Sequence, residues 1–240
     1  EDAKKKTRKR KYREAIKIYS ELIEKHPTVD MLYDLRSIVY YRMAEYENDL
    51  IDIGKAIELN PNHAQYYYSR AMTLHVMKKY KEALEDKTKA IELEPDNAQY
   101  YHSRAVTLHA MNRYDEALTD RTKAIELEPE NARFFNQRGV TLHEMKRYEE
   151  ALEDKTKAIE LGSENAKYYH SRAVTLHAMK RYDEALTDRT KAIELEPENA
   201  RLFYQRGVTL YAMTRYKEAL EDMTKAVELE PNNALYYHVR

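Results

Sequence analysis

The sequence predicts an all-α solenoid, a row of antiparallel helix pairs stacked side by side. Pro27, Pro61, Pro95, Pro129, Pro197 and Pro231, with Ser163 in the one vacant slot, set a period of 34 residues. Tyr12, Tyr46, Tyr80, Tyr114, Tyr148, Tyr182 and Tyr216 keep the same phase, as do Met43, Met77, Met111, Met145, Met179 and Met213. A fixed period of this length marks a stacked array, in which each unit buries its apolar face on its neighbours. Within a unit the apolar residues recur at helical spacing, and only 4 glycines in 240 residues argue against a β-rich or loop-rich chain.

Taken in order, the chain opens on a basic cluster, Lys4-Lys5-Lys6-Thr7-Arg8-Lys9-Arg10-Lys11. It reads as the polar cap of a solenoid end, with Ala3 in a small-residue slot of a truncated first helix; the other reading is a nuclear-import or phosphate-binding cluster. The stretch YREAIKIYSELIEKHP follows as a second helix. In a complete unit Tyr67, Ala71, Leu74 and Met77 trace one face of a first helix, and Tyr80, Ala83, Leu84, Ala90 and Ile91 trace a second. KKYK joins the pair, and ELEP ends it because proline cannot continue a helix. Asn97, Asn131, Asn165 and Asn199 stand where an N-cap oxygen would open the next first helix. The organisation is residues 1–29 as a partial repeat with a basic cap, six repeats at 30–63, 64–97, 98–131, 132–165, 166–199 and 200–233, and a further first helix starting at 234. Beginning at Glu1 and stopping within a periodic segment, the chain reads as part of something longer.

These residues resemble the tetratricopeptide repeat family, whose pattern is W-x2-L-G-x2-Y…A-x3-F…P. The Trp slot holds Tyr67, Tyr101, Phe135, Tyr169 and Phe203; the Gly slot holds Ala71, Ala105, Gly139, Ala173 and Gly207; the Ala slot holds Ala83, Ala117, Ala151, Ala185 and Ala219. The resemblance implies a right-handed α-solenoid, the superhelix of that family, with first helices lining a concave groove for partner peptides. The chain departs from the pattern in several slots. The Leu slot is arginine, the Phe slot is mostly lysine or arginine, Asp49 replaces the core alanine of the first full repeat, and Gly162-Ser163 replaces Glu-Pro, a candidate softer joint.

Arg36, Arg70, Arg104, Arg138, Arg172 and Arg206 look like a ladder for anions. Each, however, is followed sixteen residues on by Asp52, Asp86, Asp120, Asp154, Asp188 or Asp222. A hairpin folded near the midpoint brings the columns face to face, so bidentate pairs within each repeat are expected.

His75, His109, His143 and His177 form one column with Tyr41 and Tyr211; His102, His170 and His238 form another with Tyr68, Asn136 and Tyr204. Seven helical residues span about 10.5 Å, too far for two ligands of one metal on a helix. Catalysis needs groups converging on one spot, and repetition spreads these along a line. Neither a metal, a cofactor nor an enzyme activity is therefore expected. With Ile38, Met72, Val106, Val140, Val174 and Val208, the columns would instead form walls over an apolar groove floor, unless they are polar side chains without a role. Arg133, Lys167 and Arg201 would add a basic rim and favour an acidic segment. Histidines near their ordinary pKa of about 6.5 would make that affinity rise from about pH 7.5 to 6. The family's chaperone-tail clamp needs lysine where Tyr68, His102 and His170 stand and asparagine where Met72, Val106 and Val174 stand, so no clamp is expected.

A formal net charge of −1 disfavours nucleic acid, no apolar run suits a membrane span, and the absence of cysteine fits a cytoplasmic setting, with a nuclear one suggested by the basic cluster. Residues 98–131 and 166–199 differ only at Gln99/Lys167 and Asn112/Lys180, so the larger unit spans two repeats and suits an extended or repetitive partner. The expected function is a protein-interaction scaffold. The alternative is a structural array that self-associates or spaces domains, or the repeat part of a larger multidomain protein.

Overall fold

The computed structural model describes residues 2–237, with side chains from residue 10 onward. The chain divides into two compact units, Glu1–Leu127 and Glu128–Arg240. The first holds α1 (Asp2–Lys25), α2 (Asp30–Arg42), α3 (Tyr46–Leu59), α4 (Ala64–Val76), α5 (Tyr80–Leu93), α6 (Ala98–Ala110) and α7 (Tyr114–Leu127). The second holds α8 (Ala132–Glu144), α9 (Tyr148–Leu161), α10 (Ala166–Ala178), α11 (Tyr182–Leu195), α12 (Ala200–Ala212), α13 (Tyr216–Leu229) and a 3-10 turn, Ala234–Tyr237. Among the described residues there is no strand, and no helix is long and apolar enough to cross a membrane. In each unit helices pack on their chain neighbours, a first helix on its second helix and that on the next first helix. The fold is an all-α repeat solenoid.

Each first helix from α2 onward ends in a turn whose key residue has positive φ: Ala44, Lys78, Asn112, Lys146, Lys180 and Thr214. The Lys79 N–H donates to Leu74 O and the Lys78 N–H to His75 O, the paired bonds of a Schellman ending. Only α1 lacks such a break. It runs unbroken from Asp2 through Lys25, so the expected truncated first helix is continuous with the second. The side chains of Lys4 to Lys9, and His238, lie outside the described residues.

Asn97, Asn131 and Asn165 cap as expected, accepting from the N–H of Gln99, Arg133 and Lys167 at 3.1, 3.2 and 3.1 Å. Asn199 does not; its amide instead donates to Glu196 at 2.8 Å. Small residues let the paired helices close up: Ala71, Ala83, Ala105, Ala117, Ala173 and Ala185 are buried, and Leu50, Leu84 and Leu152 each pack on the next Ala–Leu–Ala group of their unit. Tyr66, Tyr100 and Phe134 are buried more deeply than their neighbours Tyr67, Tyr101 and Phe135 in the Trp slot. At Gly162 a Cβ would meet the Tyr168 ring at 3.0 Å, a contact the ring would have to shift to accommodate.

Candidate functional site

All six arginines meet their aspartates through two hydrogen bonds. Arg104 Nε donates to Asp120 Oδ2 and Nη2 to Oδ1, both at 2.8 Å, and the other five pairs span 2.6–2.8 Å. The aspartate side chains are 4–8% exposed. These hydrogen bonds to the aspartates hold the guanidinium pKa values above the ordinary arginine value. Arg104 and Arg172 also reach back to Thr88 and Thr156 on the preceding second helix, tying three helices together.

Two clefts open between consecutive second helices, one lined by Leu84, Arg104, Arg113, Glu116 and Asp120, the other by Leu152, Arg172, Arg181, Glu184 and Asp188. Their charges are paired with one another: Arg113 with Glu116 at 2.6 Å, Arg181 with Glu184 at 2.6 Å, and the arginine–aspartate pairs beneath. Glu85 and Glu153 also line them and make no ion pair among the described residues, so each cleft keeps a free carboxylate.

The first-helix face differs. Met72, Val106, Val140, Val174 and Val208 are half-buried, and Ile38 is exposed. His75, His109, His143 and His177 are half-buried beside them. Their rings lie 5.1–5.3 Å from Tyr80, Tyr114, Tyr148 and Tyr182, centroid to centroid. Tyr211 keeps the same place against Tyr216 and is exposed. Arg133, Lys167 and Arg201 are exposed at the helix starts, as a rim requires.

The other column is more enclosed than its sequence suggested. His102 and Asn136 are buried, so neither presents a polar tip; the Asn136 Oδ1 has no hydrogen-bond partner. Tyr68 and Tyr204 lie against Tyr100 and Tyr236 at 5.2 Å. His170 is half-buried with its Nδ1 enclosed and unpartnered. Burial first, then Arg189, Arg201 and Lys155, pull its pKa down to about 4.

Beneath this face lie cations that the sequence left unplaced. Lys87, Arg121, Lys155 and Arg189, from the Phe slot of the second helices, are 1%, 3%, 2% and 3% exposed. Lys87 Nζ donates to Ser103 O at 2.9 Å and Thr107 Oγ1 at 2.6 Å; Lys155 Nζ does the same to Ser171 O at 3.0 Å and Thr175 Oγ1 at 2.7 Å. Arg189 Nη1 reaches Gln205 Oε1 at 3.3 Å, and its buried Nε has no partner. Burial pushes both lysines down to about 8 and both arginines to about 10. The signal was in the sequence: a helix-pair core with a basic residue in its aromatic slot.

Burial, and then Lys87, Lys155 and Arg189, hold His75, His143 and His177 below the ordinary histidine value. The shift runs against the protonation on which the expected pH dependence relies. Among the described residues no three histidine, aspartate or glutamate side chains gather as metal ligands would.

Helix pairs repeated at a fixed period define a repeat solenoid of the protein-interaction class. Family profiles of the tetratricopeptide repeat match residues 53–85, 88–119, 122–153, 166–199 and 200–233, and the chain belongs to that family. Among solved structures it is similar to YrrB, described as a TPR protein with an unusual peptide-binding site, at 28% identity and TM-score 0.60 over 78% of this chain and 96% of that one. It shares the fold of the C-terminal part of a TPR repeat-containing protein from Cytophaga hutchinsonii, at 19% identity and TM-score 0.76 over 95% and 94% of the two chains. It shares it also with pilF of Pseudomonas aeruginosa, at 21% and 0.69 over 94% and 96%. No curated protein matches the sequence significantly.

Proposed function

We propose that the six repeats form a non-enzymatic, cytoplasmic interaction scaffold that binds an extended peptide or protein segment along the first helices. The observation that carries this is the half-buried apolar first-helix face of each unit, Met72 and Val106 in the first and Val140, Val174 and Val208 in the second, flanked by histidines and tyrosines and rimmed in the second by Arg133, Lys167 and Arg201. Cations lie beneath that face in each unit, whereas the clefts between second helices carry the free carboxylates of Glu85 and Glu153. An acidic segment fits such a face by charge complementarity. The likeness to YrrB supports a peptide as the ligand class.

Selection from a random peptide library tests this. Selected peptides should lose binding to a Val106→Glu, Val174→Glu variant and keep it with a Glu85→Lys, Glu153→Lys variant of the second helices. The reverse pattern would place binding on the other face.

A further inference from the structure

The first-helix histidines keep step with the residue twelve positions on. His75, His109, His143 and His177 are followed by Lys87, Arg121, Lys155 and Arg189, whereas Tyr41 and Tyr211 of the same column are followed by Ile53 and Met223. Where there is a buried cation there is a histidine, and where the slot is apolar there is a tyrosine.

The geometry gives the reason. In the first unit Thr107 Oγ1 lies 2.6 Å from Lys87 Nζ and 3.0 Å from His75 Nδ1. In the second unit Thr175 Oγ1 lies 2.7 Å from Lys155 Nζ and 3.1 Å from His143 Nδ1. His177 Nδ1 also meets Thr209 Oγ1 at 3.3 Å, but Arg189 bonds Gln205 and the Thr209 hydroxyl donates to Gln205 O at 3.3 Å, so the assembly is complete at His75 and His143. Each ammonium donates to the threonine oxygen, which leaves the hydroxyl proton directed at Nδ1 and the ring proton on Nε2. Nε2 of His75, His143 and His177 makes no hydrogen bond within the described residues, and the rings are half-exposed. Among the described residues no carboxylate lies within ion-pair distance of Lys87 or Lys155, and Asp188, the charge nearest Arg189, is held by Arg172; a buried cation without a paired counter-charge is costly. Glu144, exposed beside His143, offsets part of the positive field there.

We propose that each such assembly is a carboxylate station: the buried cation, acting through the threonine hydroxyl, presents the histidine as a neutral Nε2–H donor that takes a carboxylate oxygen of an aspartate or glutamate in the bound segment. This rests on the first-helix binding reading and names what it reads. The complete stations are His75 in the first unit and His143 in the second, and each takes one acidic residue of the segment.

Met223 shows that the cation slot accepts an apolar side chain of similar length, since it is 1% exposed in the same place. The test is selection from a random peptide library on the whole chain, followed by affinity measurement of the enriched peptides and their Glu→Gln, Asp→Asn counterparts. Wild type should enrich acidic residues and bind those peptides at least about tenfold tighter than the amide counterparts. The Lys87→Met, Lys155→Met, Arg189→Met variant, melting no lower than wild type, should lose that preference. A His75→Leu, His143→Leu, His177→Leu variant should lose it independently, covering the case in which the first variant folds poorly. Enriched peptides without acidic residues, or a preference retained in the variants, would overturn the stations and leave the binding face standing. No enrichment at all would overturn both.

Discussion

Arg104 sits between two helices of its own repeat and the second helix before it, holding Asp120 with both nitrogens and Thr88 with a third. Arg104→Ala strands a carboxylate that is 6% exposed, so a loss of about 3 kcal/mol is expected by chemical denaturation. The double variant with Asp120→Ala should recover part of it, because no charge is then stranded. Lys87 and Lys155 act in the opposite direction. Their folded pKa of about 8 lies below the ordinary 10.5, so between those values the unfolded chain binds more protons and stability rises with pH. Lys87→Met, Lys155→Met should melt higher at pH 7 and lack that rise. A variant that melts lower, with the same pH slope as wild type, would show that the lysines are not desolvated. The arginine–aspartate pairing was legible in the sequence because sixteen residues bridge a hairpin. The buried lysines were visible as odd occupants of an aromatic slot, but burial depends on the next repeat and no local pattern reports it.

At the scale of the helix pair, the turn residues carry strain that a glycine would relieve. Lys78, Lys146 and Lys180 have φ of 61°, 61° and 60°, in the region where a Cβ costs about 1 kcal/mol or more. Lys146→Gly should raise the melting temperature, with added freedom of the unfolded chain offsetting part of the gain. A lower melting temperature would mean that the lysine side chain makes a contact worth more than the strain. Helix limits were readable from the prolines and asparagines, because capping is local chemistry. The continuity of α1 was not, since the repeat period predicts a break that the helix does not make. Deep burial of Tyr66 and Tyr100 was missed because adjacent aromatic pairs leave open which ring faces the preceding repeat.

Across the whole chain, stability in a stacked array is a sum over neighbours, so regions with one neighbour open first. Amide exchange should be faster in α13, where Tyr216 and Leu220 are exposed, than in α9 or α11, whose equivalent positions are more covered. Uniform protection would argue against repeat-by-repeat opening. The array itself was legible from its period. The lowered pKa values of His75, His143 and His177 were not, because burial comes first and the buried cations second, and both depend on packing between repeats. The central claim is that the first-helix face takes up an acidic segment through its histidines. Side-chain nitrogen NMR of His75, His143 and His177 during titration with a selected acidic peptide tests it most directly. The account predicts neutral Nε2–H rings at pH 7 whose Nε2 signals shift on binding while Nδ1 remains an acceptor. Saturable binding that leaves all three rings unchanged would contradict it.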